Sequence, residues 1–105
     1  MTDDRFENVA AVKKANVYYE GRVTSRTLFL ADGSRKTLGF MLAGEYTFET
    51  ASAEIMEILN GEMTVLLPGG TEWQSLGTGQ SFSVPASSAF EVKVASFADY
   101  CCSYA

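Results

Sequence analysis

The chain has 105 residues, enough for one hydrophobic core and too few for two. Its 47% apolar residues, 20% charged residues and 2 prolines exclude a disordered chain. The net charge of -5 removes the field of Lys and Arg that a nucleic-acid backbone binder needs to replace counterions. The charge is uneven. Residues 1–44 hold seven bases (Arg5, Lys13, Lys14, Arg22, Arg26, Arg35, Lys36) against five acids, whereas residues 45–105 hold eight acids and Lys93 alone. A small anion therefore finds its cations in the first half.

Residues 1–15 mix charges with Phe6, Val9 and Val12, the composition of a short helical turn or loose arm, and are read as an N-terminal extension to a domain over 16–105. They have no continuous apolar run of the secretory kind, and no stretch of the chain approaches the length of a membrane span. A cytoplasmic protein without membrane association is expected.

From Val17 the apolar period becomes two, through VYYEGRV, RTLFLA and RKTLGFML, with Asp32-Gly33-Ser34 as a turn. GEYTFET sets Tyr46 and Phe48 on one strand face against Glu45, Thr47 and Glu49. EIMEIL and EMTVLL flank Asn60-Gly61, a strong hairpin signal, and are expected to pair antiparallel. Pro68-Gly69-Gly70 closes that unit. Trp73 falls in a short strand, Gly77 and Gly79 mark another reversal, and QSFSVP, AFEVKVAS and DYCCSY follow as strands.

Eight or nine short strands and no convincing long helix predict an all-β, single-domain barrel, since closure removes unprotected edges in a chain of this size. An immunoglobulin-like sandwich is the alternative. Cys101 and Cys102 are adjacent, so a strand points them to opposite faces, and two free thiols suit a reducing compartment.

Two spacings bear on the barrel. Glu54 is followed by six residues and Gly61, and Gly79 by five residues and Pro85, a pattern that resembles the two cupin motifs. The resemblance implies a cupin-like β-barrel of the RmlC-like jelly-roll kind. Cupin motifs also carry the histidines that ligate a metal, and this chain has no histidine. A transition-metal site built without imidazole is not expected.

The segments NVYYEGRV, KTLGFMLAGEYTFET, EIMEILNGEMTVLLPGGTEW, GQSFSVPASSAFEVKV and ADYCCSY, together covering roughly Asn16 to Tyr104, resemble the small cupin-like family of pyrimidine/purine nucleoside phosphorylases. Two positions depart from it: Ile55 stands where a second glutamate commonly follows Glu54, and Ser103 where some members carry a basic residue. The resemblance implies a pentosyltransferase that uses inorganic phosphate as co-substrate, with no metal or other cofactor, to split purine and pyrimidine nucleosides into free base and pentose 1-phosphate. A homodimer is expected as well, because a short chain gains buried surface by pairing.

That chemistry needs a phosphate cradle, stabilisation of an oxocarbenium-like sugar and a donor to the departing base. Arg35 and Lys36 are candidates for the cradle; on a strand they face opposite ways, and Arg35, which matches an arginine of the family pattern, is favoured. Glu45 and Glu54 are candidate catalytic carboxylates, and Tyr46 adds a hydroxyl that could meet a ribose. Phe48, Trp73 and Phe90 are candidate walls for a base, because ring contact supplies area without reading donors and acceptors. The alternative is a non-catalytic cupin that binds a small polar metabolite or sugar.

Overall fold

The structure, a computed structural model, describes residues 4–105. Eight strands form one antiparallel sheet: β1 (Ala10–Ala11), β2 (Asn16–Tyr18), β3 (Val23–Phe29), β4 (Arg35–Glu49), β5 (Glu54–Leu66), β6 (Gln74–Gly77), β7 (Ser81–Val84) and β8 (Ala89–Tyr104). The hydrogen-bonded path runs β1-β3-β4-β8-β5-β6, with β2 also on β3 and β7 also on β5. The path ends at β1 on one side and β6 on the other, so the sheet curls into a jelly-roll sandwich without the expected closure into a hydrogen-bonded barrel.

Three strands carry the architecture, at 15, 13 and 16 residues for β4, β5 and β8. Each joins segments that were expected as separate strands. RKTLGFML and GEYTFET are one strand, as are AFEVKVAS and DYCCSY. The expected hairpin at Asn60-Gly61 is likewise absent: EIMEIL and EMTVLL run on as β5, and both halves pair with β8, from Glu54↔Tyr104 to Leu66↔Glu91.

The special residues bend these strands instead of ending them. Register shifts lie at Ile58/Asn60 and Gly61/Thr64 in β5, and at Leu42/Gly44 in β4. Gly61 has φ +85°, and a Cβ there would meet the Phe97 carbonyl oxygen. The Asn60 side-chain oxygen accepts from the Gly61 amide at 3.0 Å. The pair thus makes a bulge, which adds a residue to one strand and sharpens its twist. At the β4 bulge the carbonyls of Leu42 and Ala43 accept from the Tyr46 hydroxyl at 2.7 Å and from Arg22 Nη2 at 2.8 Å.

Bending folds the sheet over its own inner face. The core there includes Val23, Met41, Met56, Ile58, Met63, Val65, Val84, Val92 and Ala98. The N-terminal extension contributes a strand where a helical turn or loose arm was expected: Ala10 and Ala11 pair with Phe29 and Leu28, and the Val12 amide donates to the Thr27 carbonyl at 2.9 Å.

Candidate functional site

Alternation along β8 sends Tyr100, Cys102 and Tyr104 inward and Cys101 and Ser103 outward. The inward three face Gly39 and Thr37 of β4 on one side, and Ile58, Met56 and Glu54 of β5 on the other. Between them lies a cavity of about 130 Å³, also bordered by Tyr18, Ser25, Met41, Phe48, Glu49 and Phe90.

Glu54 is the half-buried carboxylate of this cavity, and the Cys102 thiol donates to its Oε1 at 3.4 Å. Burial raises the Glu54 carboxyl above the usual carboxylate value, opposed by the Cys102 hydrogen bond and by the charge of Arg35. Burial also pushes the Cys102 thiol up to about 12, with the Glu54 charge adding to it, so the thiol stays protonated and acts as a donor. Tyr104 shares a 3.0 Å hydrogen bond with Thr37 Oγ1, and burial raises its phenol as well.

Arg35 stands at the rim. It shares the inward face of β4 with Thr37, and its guanidinium carbon lies 4.0 Å from the centre of the Tyr104 ring. That stacking orients the planar donor fork and leaves its N–H groups for an anion. Lys36 faces the opposite side, where its Nζ donates to Ser103 Oγ at 2.6 Å. The two basic neighbours are separated by the sheet, as strand alternation requires.

The structure gathers three of the sequence-derived candidates, Glu54, Phe48 and Phe90, around the cavity, with Arg35 stacked on the wall residue Tyr104. Glu45 and Trp73 lie elsewhere, bordering a separate surface depression with Tyr19, Glu91 and Lys93. Glu45 is exposed because it stands outward next to the β4 bulge, opposite Lys93. Trp73 precedes β6 and lies under the Lys93 ammonium, 4.2 Å from the ring centre. Tyr46 is 3% exposed and donates its hydroxyl to the Leu42 carbonyl, which ties it to the bulge instead of to the cavity.

Tyr18, Thr37, Tyr100 and Tyr104 were not among the sequence-derived candidates, and Cys102 was expected only as a free thiol. The signal was present in DYCCSY, whose alternation puts three groups able to donate a hydrogen bond on one face. Only the pairing with Gly39, Thr37 and Glu54 makes that face a cavity wall.

Ile55 and Ser103, the two departures from the family pattern, are cross-strand partners. Their chain neighbours Glu54, Met56, Cys102 and Tyr104 line the cavity, so both point to the other side of the sheet. The cavity wall is untouched by either change.

The metal that cupins hold does not fit the residues present. The chain has no histidine, and the described residues gather no group of three carboxylate, thiol or imidazole side chains able to take a metal ion.

Comparison with known proteins places the chain. Residues 13–104 match the family model described as pyrimidine/purine nucleoside phosphorylase. Relatives of that name include one from Syntrophotalea carbinolica, 64% identical over 99 residues that cover 94% of this chain and 95% of the relative. Another, from Hydrogenovibrio crunogenus, is 63% identical over 100 residues, covering 95% and 96%. Among solved structures, a protein of unknown function from Acinetobacter sp. ADP1 superposes with a TM-score of 0.94 at 40% identity, over 96% of this chain and 98% of that one. An RmlC-like cupin from Shewanella frigidimarina superposes with a TM-score of 0.69 at 16% identity, over 87% and 81%, and shares the fold. The cupin-like jelly roll, the matched span of residues 13–104 and the high identity to its named relatives agree: this chain belongs to the pyrimidine/purine nucleoside phosphorylase family.

Proposed function

We propose that the chain catalyses phosphorolysis of purine and pyrimidine nucleosides, with broad acceptance of bases and without a metal. The observation that carries this reading is an arginine stacked on Tyr104, a wall residue of the cavity that holds a half-buried carboxylic acid, so that a group able to bind an anion and a proton donor lie near one another.

In the proposed reaction a phosphate oxygen bonds to the sugar C1′ while the bond from C1′ to the base nitrogen breaks. The electron pair leaves with the base, which takes a proton, and the products are free base and pentose 1-phosphate. Arg35 holds the phosphate. Glu54, kept protonated to higher pH than an exposed glutamate, donates the proton. Phe48, half-buried beside Phe90 at 5.6 Å between ring centres, supplies apolar contact that any base can use.

Breadth follows from the wall chemistry. Discrimination between bases requires fixed polar partners for their edges, and the phenyl rings of Phe48 and Phe90 offer none. Two buried free cysteines fit a reducing, cytoplasmic setting.

We also propose that the protein is a homodimer through the outer face of the sheet. Leu38, Phe40, Leu42 and Leu59 are exposed there, and the Phe40 and Phe97 rings stack at 5.6 Å. An apolar patch of this kind on a β-sheet marks a contact surface. One register row carries Arg26, Leu38, Cys101 and Glu57 in order across β3, β4, β8 and β5. A twofold axis lying along the strands sets Arg26 of one copy against Glu57 of the other, an isologous pairing with charges matched.

The test is base release from a nucleoside panel by protein treated with chelator, with and without inorganic phosphate. Phosphate-dependent release with pentose 1-phosphate as co-product is expected, and Arg35→Ala should raise the KM for phosphate by about tenfold or more. A folded protein that releases no base from any nucleoside overturns the reading in favour of a cupin that binds a small polar metabolite.

A further inference from the structure

Tyr100 is 6% exposed, yet its hydroxyl makes no hydrogen bond among the described residues, and its side chain borders the cavity. Every fully enclosed side-chain oxygen or nitrogen in those residues has a partner, so the Tyr100 oxygen is one that the cavity reaches. Burial is the main cause that raises its phenol above the ordinary value, which keeps the group neutral and able to donate. The residue is largely buried while its hydroxyl opens to the cavity, so its hydrogen is available to whatever occupies that space.

The backbone makes room for this group. Tyr100 pairs across the sheet with Gly39, and a Cβ at position 39 would collide with the Tyr100 hydroxyl oxygen and with the ring carbon that bears it. Gly39 therefore clears the space through which the phenol end enters the cavity. Two steps along β8 stands Cys102, and two steps further Tyr104, which places the three donors along one wall at intervals of roughly 7 Å.

We propose that Tyr100 is a substrate-contacting residue whose hydroxyl donates a hydrogen bond to a sugar hydroxyl of the nucleoside. The inference rests on the phosphorolysis reading and adds which part of the substrate the cavity holds. Its volume of about 130 Å³ is below the roughly 300 Å³ at which sites enclose a whole drug-sized ligand, so it encloses one part of a nucleoside. The hydroxyls of Tyr100, Tyr104, Thr37 and Ser25, together with the Glu54 carboxyl, suit a polyol, since a sugar hydroxyl both donates and accepts. The sugar is also the part that all nucleosides have in common. Sugar contacts inside the cavity and base contacts at its mouth thus hold the reacting C1′ in place whatever the base.

Tyr100→Phe removes one oxygen and keeps the ring. The experiment compares kcat/KM of the wild type and this variant on uridine, on adenosine, and on uridines lacking the 2′-, 3′- or 5′-hydroxyl, with a thermal melt of each protein. The variant should melt at the wild-type temperature and lose about tenfold on both uridine and adenosine. On one of the three deoxy compounds the two proteins should be equal, because the group that receives the hydrogen bond is already missing. A variant that matches the wild type on every nucleoside overturns the assignment alone. So does a loss that persists on all three deoxy compounds, which would put the donor on the base or the phosphate. A variant that unfolds overturns it too, by giving the oxygen a structural partner. A wild type that releases no base overturns the underlying reading and this assignment with it.

Discussion

Glu54 has company that restrains its titration in both directions. Burial raises the carboxyl, while the thiol of Cys102 and the guanidinium of Arg35 favour the anion. As the proposed acid it must be protonated, so kcat should fall as pH rises through its elevated pKa, and Glu54→Gln should remove that limb together with at least about a hundredfold of the rate. A pH profile of single-turnover base release checks both statements. Linkage gives the sign for stability. A carboxyl whose folded pKa exceeds its unfolded value contributes stability that is full below the unfolded pKa and is lost as pH rises through the folded one. The Glu54→Gln protein should accordingly gain on the wild type in a melting series as pH climbs through that window. Glu54 and Glu45 were both candidate carboxylates in the sequence. Position relative to the β4 bulge separates them, since Glu45 is turned to solvent beside it and Glu54 faces inward at the start of β5.

At the scale of elements, glycine at the bulge of β5 is a requirement of two kinds. Its φ of +85° lies where a side chain is strained, and a Cβ would press on the Phe97 carbonyl of the neighbouring strand. Gly61→Ala should destabilise the protein by about 2 kcal/mol or more, measured by urea denaturation. The same residue explains why the strand count was misread. Asn-Gly has the left-handed preference of a two-residue hairpin, and the left-handed bulge asks for the same preference. What distinguishes them is the partner: β8 is long enough to pair with both halves of β5, and a single sequence does not reveal that across residues 67–88, which separate the two strands. Period-two runs such as GEYTFET were legible because alternation is local. The cavity wall in β8 was legible as a face and became a site only through register with β4 and β5.

For the whole molecule, the outer face and the cavity are the two sides of one sheet. Cys101 and Ser103 alternate with Cys102 and Tyr104, so a change on one side leaves the other side's side chains in place. Phe40→Asp, on the outer face, should turn the proposed dimer into a monomer by light scattering at micromolar concentration and leave the melting transition cooperative. A wild type already monomeric at that concentration would contradict the proposed pairing. A homodimer was expected from the short chain and its cupin-like fold; the face proposed for it rests on the register row that carries Arg26 and Glu57.

The order of strands in space has a consequence for the order of events in synthesis. β8, the last strand along the chain, lies between β4 and β5 and forms the longest ladders with both. Until it emerges, β4 and β5 each lack the neighbour that satisfies one full edge, and their inner faces have no wall to close against. The fold is therefore completed from its middle by its final segment, and its contacts are dominated by pairs distant in sequence, which places it among slow-folding topologies. Until that segment arrives, the β1–β4 and β5–β7 groups cannot be joined into one sheet, and during that interval the exposed edges of β4 and β5 are the surfaces a chaperone would meet.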